Sequence, residues 1–246
     1  MSERGIVWIT YDRHEPEMLW RSLAAVKKLN LPSCLICEHE PEDPRVRGFD
    51  LLRRFVPAVQ DCRCRAAVLA ESAPFELTLM IDTDCVVLRD VSFGFDMARR
   101  HGVAMCIAAA ANAKLCHGMS PEYPDDLVQY NAGAIFFDRA QASGLMRRWS
   151  DYALNRKLSE MTARDQPSLA AAVYEQAINP FVLPPTWNLR PIFGQTIGFG
   201  PVTIWHAPWP VPEGLDKHRG FWRLTPYIVG EPQRVIPLNR RMQRLG

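Results

Sequence analysis

The chain has 246 residues, of which 48% are hydrophobic and 23% are charged, a composition typical of one globular domain and not of a disordered chain. Its 29 Lys and Arg residues nearly balance 27 Asp and Glu residues, so a strongly basic nucleic-acid-binding protein is excluded. The sequence contains neither a bilayer-spanning apolar run nor a signal-peptide pattern, and its seven cysteines are an odd number. We therefore expect a cytoplasmic protein in a reducing compartment that does not bind nucleic acid.

Apolar runs and amphipathic stretches alternate along the chain, which predicts an α/β fold with a mainly parallel, mixed sheet flanked by helices. In chain order, the pattern predicts a strand over 6–10, a helix over 16–29, a strand over 32–37, a short helix over 50–55, a helix over 63–72, a strand over 77–81, a helix over 95–101, strands over 103–110 and 133–137, helices over 140–154 and 165–175, and strands over 181–183 and 203–205. Proline is concentrated late in the chain, so we expect a loop-rich C-terminal part.

Four cysteines form two close pairs, Cys34 with Cys37 and Cys62 with Cys64, and four thiolates are able to hold zinc. Cys34 and Cys37 lie in a predicted strand, where residues three apart point to opposite faces. The spacing therefore favours buried thiols over a zinc site.

Two carboxylates, Asp82 and Asp84, come directly after the apolar run 77–81. In an extended chain these side chains share one face, about 7 Å apart, at the strand end where open α/β sheets bind ligands. Two adjacent carboxylates repel each other unless a positive charge lies beside them, and a divalent cation would leave positions for phosphate oxygens. The alternative is a strand-end loop with two solvated aspartates.

The segment 79–87 resembles the metal-binding D-x-D segment of GT-A glycosyltransferases, especially the glycogenin-like and lipopolysaccharide galactosyltransferase-like group. Other segments resemble the same family and follow in its order, so that the match covers about residues 5 to 210: they are 6–22, 129–137, 165–169, 183–188 and 204–206. The resemblance implies a single GT-A domain with a nucleotide-binding half over about 1–90, a donor-sugar and acceptor half over about 91–212, and a basic segment over 213–246.

The resemblance further implies a glycosyltransferase that uses a nucleotide-sugar, specifically a UDP-sugar, with retention of configuration. Asp82, Asp84 and His206 would hold Mn²⁺ or Mg²⁺ against the diphosphate, and Thr83 would lie beside the donor. A nitrogen ligand favours Mn²⁺ over Mg²⁺. The metal would stabilise the departing diphosphate as a Lewis acid.

On the nucleotide side, the resemblance implies that Thr10, Tyr11 and Asp12 contact the nucleoside. A basic residue near the nucleotide is also implied, since a guanidinium pairs with phosphate through two hydrogen bonds. Arg63 and Arg65 are the candidates, and we prefer Arg65. The alternatives are an ordinary turn after the first strand and a solvated helix face.

On the sugar side, the resemblance assigns catalytic positions to Asn131, Asp165 and Gln166, which would face the donor sugar. Gly133 would let the backbone approach closely. Asp165 is also a favoured residue at a helix start, so its role there is equally consistent with the sequence.

Trp187 and Asn188 would line the acceptor side, although a buried tryptophan is the alternative for the former. The acceptor would be a glycan, a lipid-linked sugar or a protein, and the oligomeric state is not indicated. The family's late glycine and lysine are missing after His206, and Lys217 or His218 is a candidate replacement. The basic segment 213–246 is able to touch anionic lipid.

Two other functions remain open from the sequence. In a haloacid-dehalogenase-like phosphatase, Asp82 would be the nucleophile and Asp84 the acid or base. A non-catalytic protein that binds a sugar nucleotide on the same fold is the second alternative.

Overall fold

A computed structural model describes residues 3–11, 17–39, 41–56, 58–59, 61–158, 165–191, 195–228 and 230–238. Within these ranges the strands are β1 Arg4–Thr10, β2 Ser33–Cys37, β3 Leu51–Arg54, β4 Leu77–Ile81, β5 Cys85–Val87, β6 Val103–Asn112, β7 Val128–Asp138, β8 Phe181–Val182, β9 Thr196–Phe199, β10 Ile204–His206, β11 Phe221–Leu224 and β12 Val235–Pro237. The α-helices are α1 Glu17–Lys27, α2 Arg65–Ser72, α3 Ser92–His101, α4 Ala113–His117, α5 Ser143–Asn155 and α6 Gln166–Glu175. Single 3₁₀ turns cover Pro44–Gly48, Cys62–Cys64 and Pro185–Trp187.

The central sheet has seven strands in the order β3-β2-β1-β4-β7-β6-β8. Only β7 runs against the others, because it pairs antiparallel with both β4 and β6 while the remaining pairs are parallel. The sheet is thus mixed and mainly parallel, as predicted. The carboxyl ends of β1 and β4 lie side by side at one edge, which positions their following residues together.

Helices cover both faces of this sheet and form two apolar cores. Alternation along β1 sends Ile6 and Trp8 to the face covered by α1 and α3, and Val7 to the face covered by α2, α5 and α6. The Trp8 indole N–H donates to Ser22 Oγ of α1 at 2.8 Å, so the buried polar atom is satisfied. Each large apolar side chain removed from water in this way contributes about 1.5–3 kcal/mol to folding.

The predicted short helix over 50–55 is wrong. Residues Leu51–Arg54 form the edge strand β3, parallel to β2. Because an edge strand has few buried side chains, it carries no apolar pattern, and its conformation is determined by pairing with the backbone of β2.

The C-terminal part contains more regular structure than the sequence predicts. Strands β9, β11 and β12 form a separate three-stranded antiparallel sheet, and β10 pairs antiparallel with β5. A third apolar cluster lies beneath them, with Trp205, Trp222 and Leu224 fully buried. This cluster fixes the late part of the chain against the first half.

The two cysteines of β2 lie on opposite sides of the sheet, Cys34 in one core and Cys37 in the other. The predicted orientation is therefore present, and it is incompatible with four converging thiolates. Burial raises the pKa of Cys34 to about 12, so this thiol stays protonated. In the part of the chain that the structure describes, no helix has both the length and the apolar character needed to cross a membrane.

Candidate active site

Asp82 and Asp84 lie in the short turn between β4 and β5, at the carboxyl edge of the central sheet. The Asp82 backbone N–H donates to Gly133 O of β7 at 2.9 Å, and the Asp84 carbonyl accepts from Ala207 N at 3.1 Å. Both carboxylates keep partial access to solvent, with side-chain exposures of 28% and 20%. The turn is therefore anchored by its backbone while its charged groups face outward.

His206 is carried to the same point by strand pairing. It is the last residue of β10, and its register partner in the antiparallel β5 is Cys85. His206 Nε2 lies 3.6 Å from Asp82 Oδ2 and 3.4 Å from Asp84 Oδ1, and the imidazole is almost fully buried. The three predicted metal ligands are thus next to one another in the structure.

The imidazole of His206 is held as a neutral base. Its Nδ1 lies 2.8 Å from Asn188 Oδ1, so the ring donates its one proton to that amide oxygen. Burial lowers the pKa of His206, Asp82 and Asp84 oppose that shift, and the positive charge of Arg190 supports it. The Nε2 atom consequently presents a buried lone pair, with no hydrogen-bond partner, to two carboxylates.

This donor set fits a divalent cation. Without one, a lone pair and two carboxylates face one another, which is unfavourable. Octahedral ligands at about 2.1 Å from an ion lie about 3 Å from their neighbours, so the observed separations need only small adjustments.

Cys85 Sγ is also near Asp84 and His206. Burial raises the pKa of Cys85 well above its ordinary value, and its thiol donates to Gly133 O at 3.2 Å. A hard cation therefore finds oxygen and nitrogen ligands here more readily than a thiolate.

The side chains of His206 and Asp82 lie so close to the backbone of Gly133 that only glycine fits at this position. A Cβ atom at this position would lie 2.7 Å from His206 Nδ1 and 2.8 Å from Asp82 Oδ2. Ordinary contacts between heavy atoms are about 3.5–4.0 Å, so any larger residue would displace both side chains. The Asn131 Oδ1 atom accepts from Gly133 N at 3.0 Å and holds the backbone of β7 at this point.

Arg65, the first residue of α2, joins the cluster of Asp82, Asp84 and His206 to a further buried carboxylate. Its guanidinium lies 2.9 Å from Asp82 Oδ1 and 3.1 Å from Asp165 Oδ2, and it donates to Ala132 O at 2.6 Å. Burial disfavours its charged form, but Asp165 and Asp82 raise the pKa of Arg65 well above its usual value. Arg63 instead pairs with Asp61 near the surface.

A cavity of about 340 Å³ opens beside these groups, and its lining includes Thr10, Tyr11, Arg65 and all three residues from Asp82 to Asp84. Thr10 Oγ1 is buried there without a hydrogen-bond partner. The Tyr11 ring packs edge-on against Phe55, and burial raises the pKa of Tyr11 far above its ordinary value. Asp12, also predicted to contact the nucleoside, lies outside the described residues.

The remaining predicted site residues have structural partners. Asp165 precedes α6 and is buried beside Arg65, whereas Gln166 Oε1 accepts from Gln129 Nε2 at 2.6 Å. The Trp187 ring packs 5.7 Å from Phe93 and 5.9 Å from Phe136, ring centre to ring centre, as expected for a tryptophan that packs against the core. Asn188 lies against the His206 ring and therefore positions the imidazole.

Three further cationic side chains concern the phosphate side of the site. Lys217 and His218 lie in the turn that follows Gly214, and His218 Nε2 is 3.1 Å from Phe221 O. Arg190 was not a sequence candidate, yet its charge acts on both His206 and Cys85. Its position two residues after Asn188 is the only sequence signal that points to it.

No protein-family model and no curated protein sequence matches the chain. Solved structures of glycosyltransferases do match. The galactosyltransferase LgtC, in complex with donor and acceptor sugar analogues, is 13% identical with a TM-score of 0.54, over 84% of this chain and 87% of LgtC. Mouse xyloside xylosyltransferase 1 is 11% identical with a TM-score of 0.55, over 85% of this chain and 99% of that protein.

The chain has the GT-A glycosyltransferase fold. The bifunctional glycosyltransferase WbbM matches it as well, at 14% identity and a TM-score of 0.53, over 77% of this chain. The chain spans only 40% of WbbM. The fold class predicted from the sequence is thus confirmed, and a dehalogenase-like phosphatase is not favoured.

Proposed function

We propose that the protein is a metal-dependent glycosyltransferase that takes the sugar of a UDP-sugar and transfers it, with retention, to an acceptor. The observation that carries the proposal is the buried, unpartnered Nε2 of His206, which faces Asp82 and Asp84 beside a nucleotide-sized cavity. A buried nitrogen without a hydrogen-bond partner lowers the stability of the fold, so this arrangement indicates a bound ligand.

In the proposed reaction Asp82, Asp84 and His206 hold Mn²⁺ or Mg²⁺. When bound, the ion supplies Lewis-acid stabilisation of the negative charge that develops on the departing diphosphate. Asn188 holds the imidazole so that Nε2 faces the site, which is the usual task of a second residue behind a ligating histidine.

The other side chains bind and orient the donor. Thr10 and Tyr11 line the cavity at the end of β1 and would contact the nucleoside. Arg65 fixes the carboxylates of Asp82 and Asp165, and Asp165 would face the donor sugar from the start of α6. Arg190 brings positive charge to the same edge and is, beside Lys217 and His218, a candidate for the phosphate-facing position.

The first experiment measures thermal unfolding with Mn²⁺ alone, UDP alone and both together. A ligand that binds only the native state at 100 times its Kd stabilises by about 2.7 kcal/mol, which raises Tm by about 5–10 °C for a chain of this size. We expect that shift with Mn²⁺ plus UDP and not with either alone. No shift with Mn²⁺ and any nucleoside diphosphate would refute the metal and nucleotide site.

Asp84→Asn removes one charged ligand and should abolish the cooperation between Mn²⁺ and UDP. Asp96→Asn on the exposed side of α3 makes the same chemical change away from the site and serves as the control. Catalysis is tested by hydrolysis of UDP-, GDP-, ADP- and TDP-sugars with and without Mn²⁺. Binding without any turnover would favour the non-catalytic alternative.

A further inference from the structure

A cavity of about 690 Å³ lies in the C-terminal part, and the site above does not use it. We name it the Trp209 cavity after the residue on which it is built. Its lining comes from two segments: Trp209 to Glu213, and Tyr227 with Gly230 to Val235. A volume of this size falls in the range of sites that bind small molecules.

The wall of the Trp209 cavity is a stacked aromatic pair. The rings of Trp209 and Tyr227 are nearly parallel, at 10°, with centres 4.7 Å apart, and Tyr227 is 43% exposed. Trp205 Nε1 donates to the Trp209 carbonyl at 3.1 Å, which anchors the backbone of this segment. A flat, fixed aromatic surface therefore faces the cavity at low entropic cost.

A buried amide adjoins this surface, and its amino group has no hydrogen-bond partner. The Trp209 indole N–H donates to Gln233 Oε1 at 3.0 Å, which orients the amide. Gln233 is only 7% exposed, and its Nε2 has no partner. A buried donor without a partner costs about 1–3 kcal/mol, and a ligand with an acceptor oxygen would recover that loss.

The charges around the cavity select a neutral, polyhydroxylated ligand. Among the described lining residues, Glu213 and Glu231 outnumber the cation Arg234, so a phosphate or another polyanion is disfavoured. A cage for a quaternary ammonium group is also disfavoured, because the two rings close on each other instead of enclosing a space. A sugar fits, since its C–H face packs on an aromatic ring and its hydroxyls bond with amide and carboxylate groups.

The Trp209 cavity is close to the metal ligands. Trp209 follows His206 by three residues, which limits the separation of their Cα atoms to about 11 Å. A second cavity of about 300 Å³ shares Trp209 and Val211 with the first and is also lined by Asp84. A ligand in the Trp209 cavity therefore lies next to the proposed reaction centre.

We propose that the Trp209 cavity is the acceptor subsite and that it binds a neutral saccharide, an inference that rests on the proposed glycosyltransferase function. The test uses the full chain with Mg²⁺ and UDP, and lactose, maltose, cellobiose and diacetylchitobiose as probes. In ¹⁵N NMR spectra of the unmodified protein, we expect at least one disaccharide to shift the Trp209 indole and Gln233 amide signals. No such shift with any of the four would overturn the inference.

Tyr227→Ala and Gln233→Leu should each weaken the binding of that disaccharide at least about tenfold, the change expected for one lost ring contact or hydrogen bond. Phe199→Ala is the matched control, because Phe199 belongs to another exposed aromatic pair, with Phe221, outside the lining of the Trp209 cavity. If the unmodified protein and the three variants bind the disaccharide equally well, the inference is also overturned.

Measurements of donor binding and donor hydrolysis distinguish a failure of the acceptor subsite from a failure of the glycosyltransferase function. Affinity for Mg²⁺ plus UDP and hydrolysis of the UDP-sugar should stay unchanged in Tyr227→Ala, while transfer to the disaccharide falls. If the unmodified protein binds the disaccharide but hydrolyses no nucleotide-sugar, the glycosyltransferase function fails and the saccharide site stands. If donor hydrolysis occurs and Tyr227→Ala transfers as well as the unmodified protein, the acceptor subsite fails and the function stands.

Discussion

Replacement of Gly133 by alanine tests whether the proposed metal site depends on the space that this residue leaves. The added Cβ would lie 2.7 Å from His206 Nδ1 and 2.8 Å from Asp82 Oδ2, and closer still to His206 Cε1. Restoring ordinary contacts of about 3.5–4.0 Å requires the side chains to move by about 1 Å. The backbone at Gly133 has little freedom to withdraw, because its carbonyl accepts from Asp82 N and β7 pairs with β6 at Tyr130 and Ile135, on either side of Gly133.

This displacement should lower both the affinity for the metal and the free energy of unfolding, by amounts that can be estimated. Movement of His206 breaks its 2.8 Å contact with Asn188 Oδ1 and shifts Nε2 beyond the tolerance of about 0.2 Å for a metal ligand. Loss of such positioning lowers metal affinity about 10- to 100-fold. Overpacking of this kind also lowers the free energy of unfolding by about 1–3 kcal/mol.

Titration calorimetry with Mn²⁺ in the presence of UDP measures the binding loss, and urea unfolding measures the stability loss. Gly5→Ala is the control, since a Cβ there would meet the Phe75 ring at 2.5 Å. Gly5 lies about 16 Å along β1 from Thr10, so this variant should lose stability while its affinity for Mn²⁺ stays unchanged. If Gly133→Ala binds Mn²⁺ as tightly as the unmodified protein, His206 is not a ligand.

Three further predictions concern single side chains. Cys85→Ala should leave calorimetric affinity for Mn²⁺ plus UDP unchanged, because burial keeps this thiol protonated; a loss of affinity would make Cys85 a ligand. Arg65→Ala should lower the free energy of unfolding in urea by about 3–5 kcal/mol because it leaves Asp165 buried without its cation, and adding Asp165→Asn should restore part of that loss. Asp50→Asn should cost about 1 kcal/mol at pH 7, because Asp50 accepts two hydrogen bonds from Ser33. Burial acts against ionisation of Asp50, but its hydrogen bonds and a nearby ammonium group lower its pKa, so its contribution is present at neutral pH and is lost as the pH falls below about 4. A stability difference for this variant that is the same at pH 7 and pH 3 would contradict that assignment.

The sequence predicts the strands that are buried on both faces, because continuous apolar runs such as 77–81 have no other stable environment. It does not predict β3, whose Leu51 and Leu52 are exposed at the edge of the sheet, nor the three-residue strand β5. These elements depend on pairing with distant backbone, which leaves no periodic signal in so few residues.

Some residues of the candidate site also follow from a local sequence pattern, whereas others depend on distant parts of the chain. Asp82 and Asp84 follow from a local pattern, since both come directly after a buried strand. The place of His206 beside them depends on the antiparallel pairing of β10 with β5, and only the order of family-like segments pointed to it. The support that Asn188 gives to the imidazole depends on a contact between the end of a 3₁₀ turn and the end of β10, which no pattern in the sequence encodes.

The pairing of β10 with β5 brings together two residues that are far apart in the sequence, and this affects the stability of the C-terminal part. Asp84 and His206 are about 120 residues apart, so an ion shared by them would act as a reversible cross-link that closes a very long loop. The C-terminal sheet would then be held to the turn between β4 and β5 by coordination as well as by apolar packing. Protease protection of the last third of the chain would accordingly rise with metal concentration, whether or not a sugar is present.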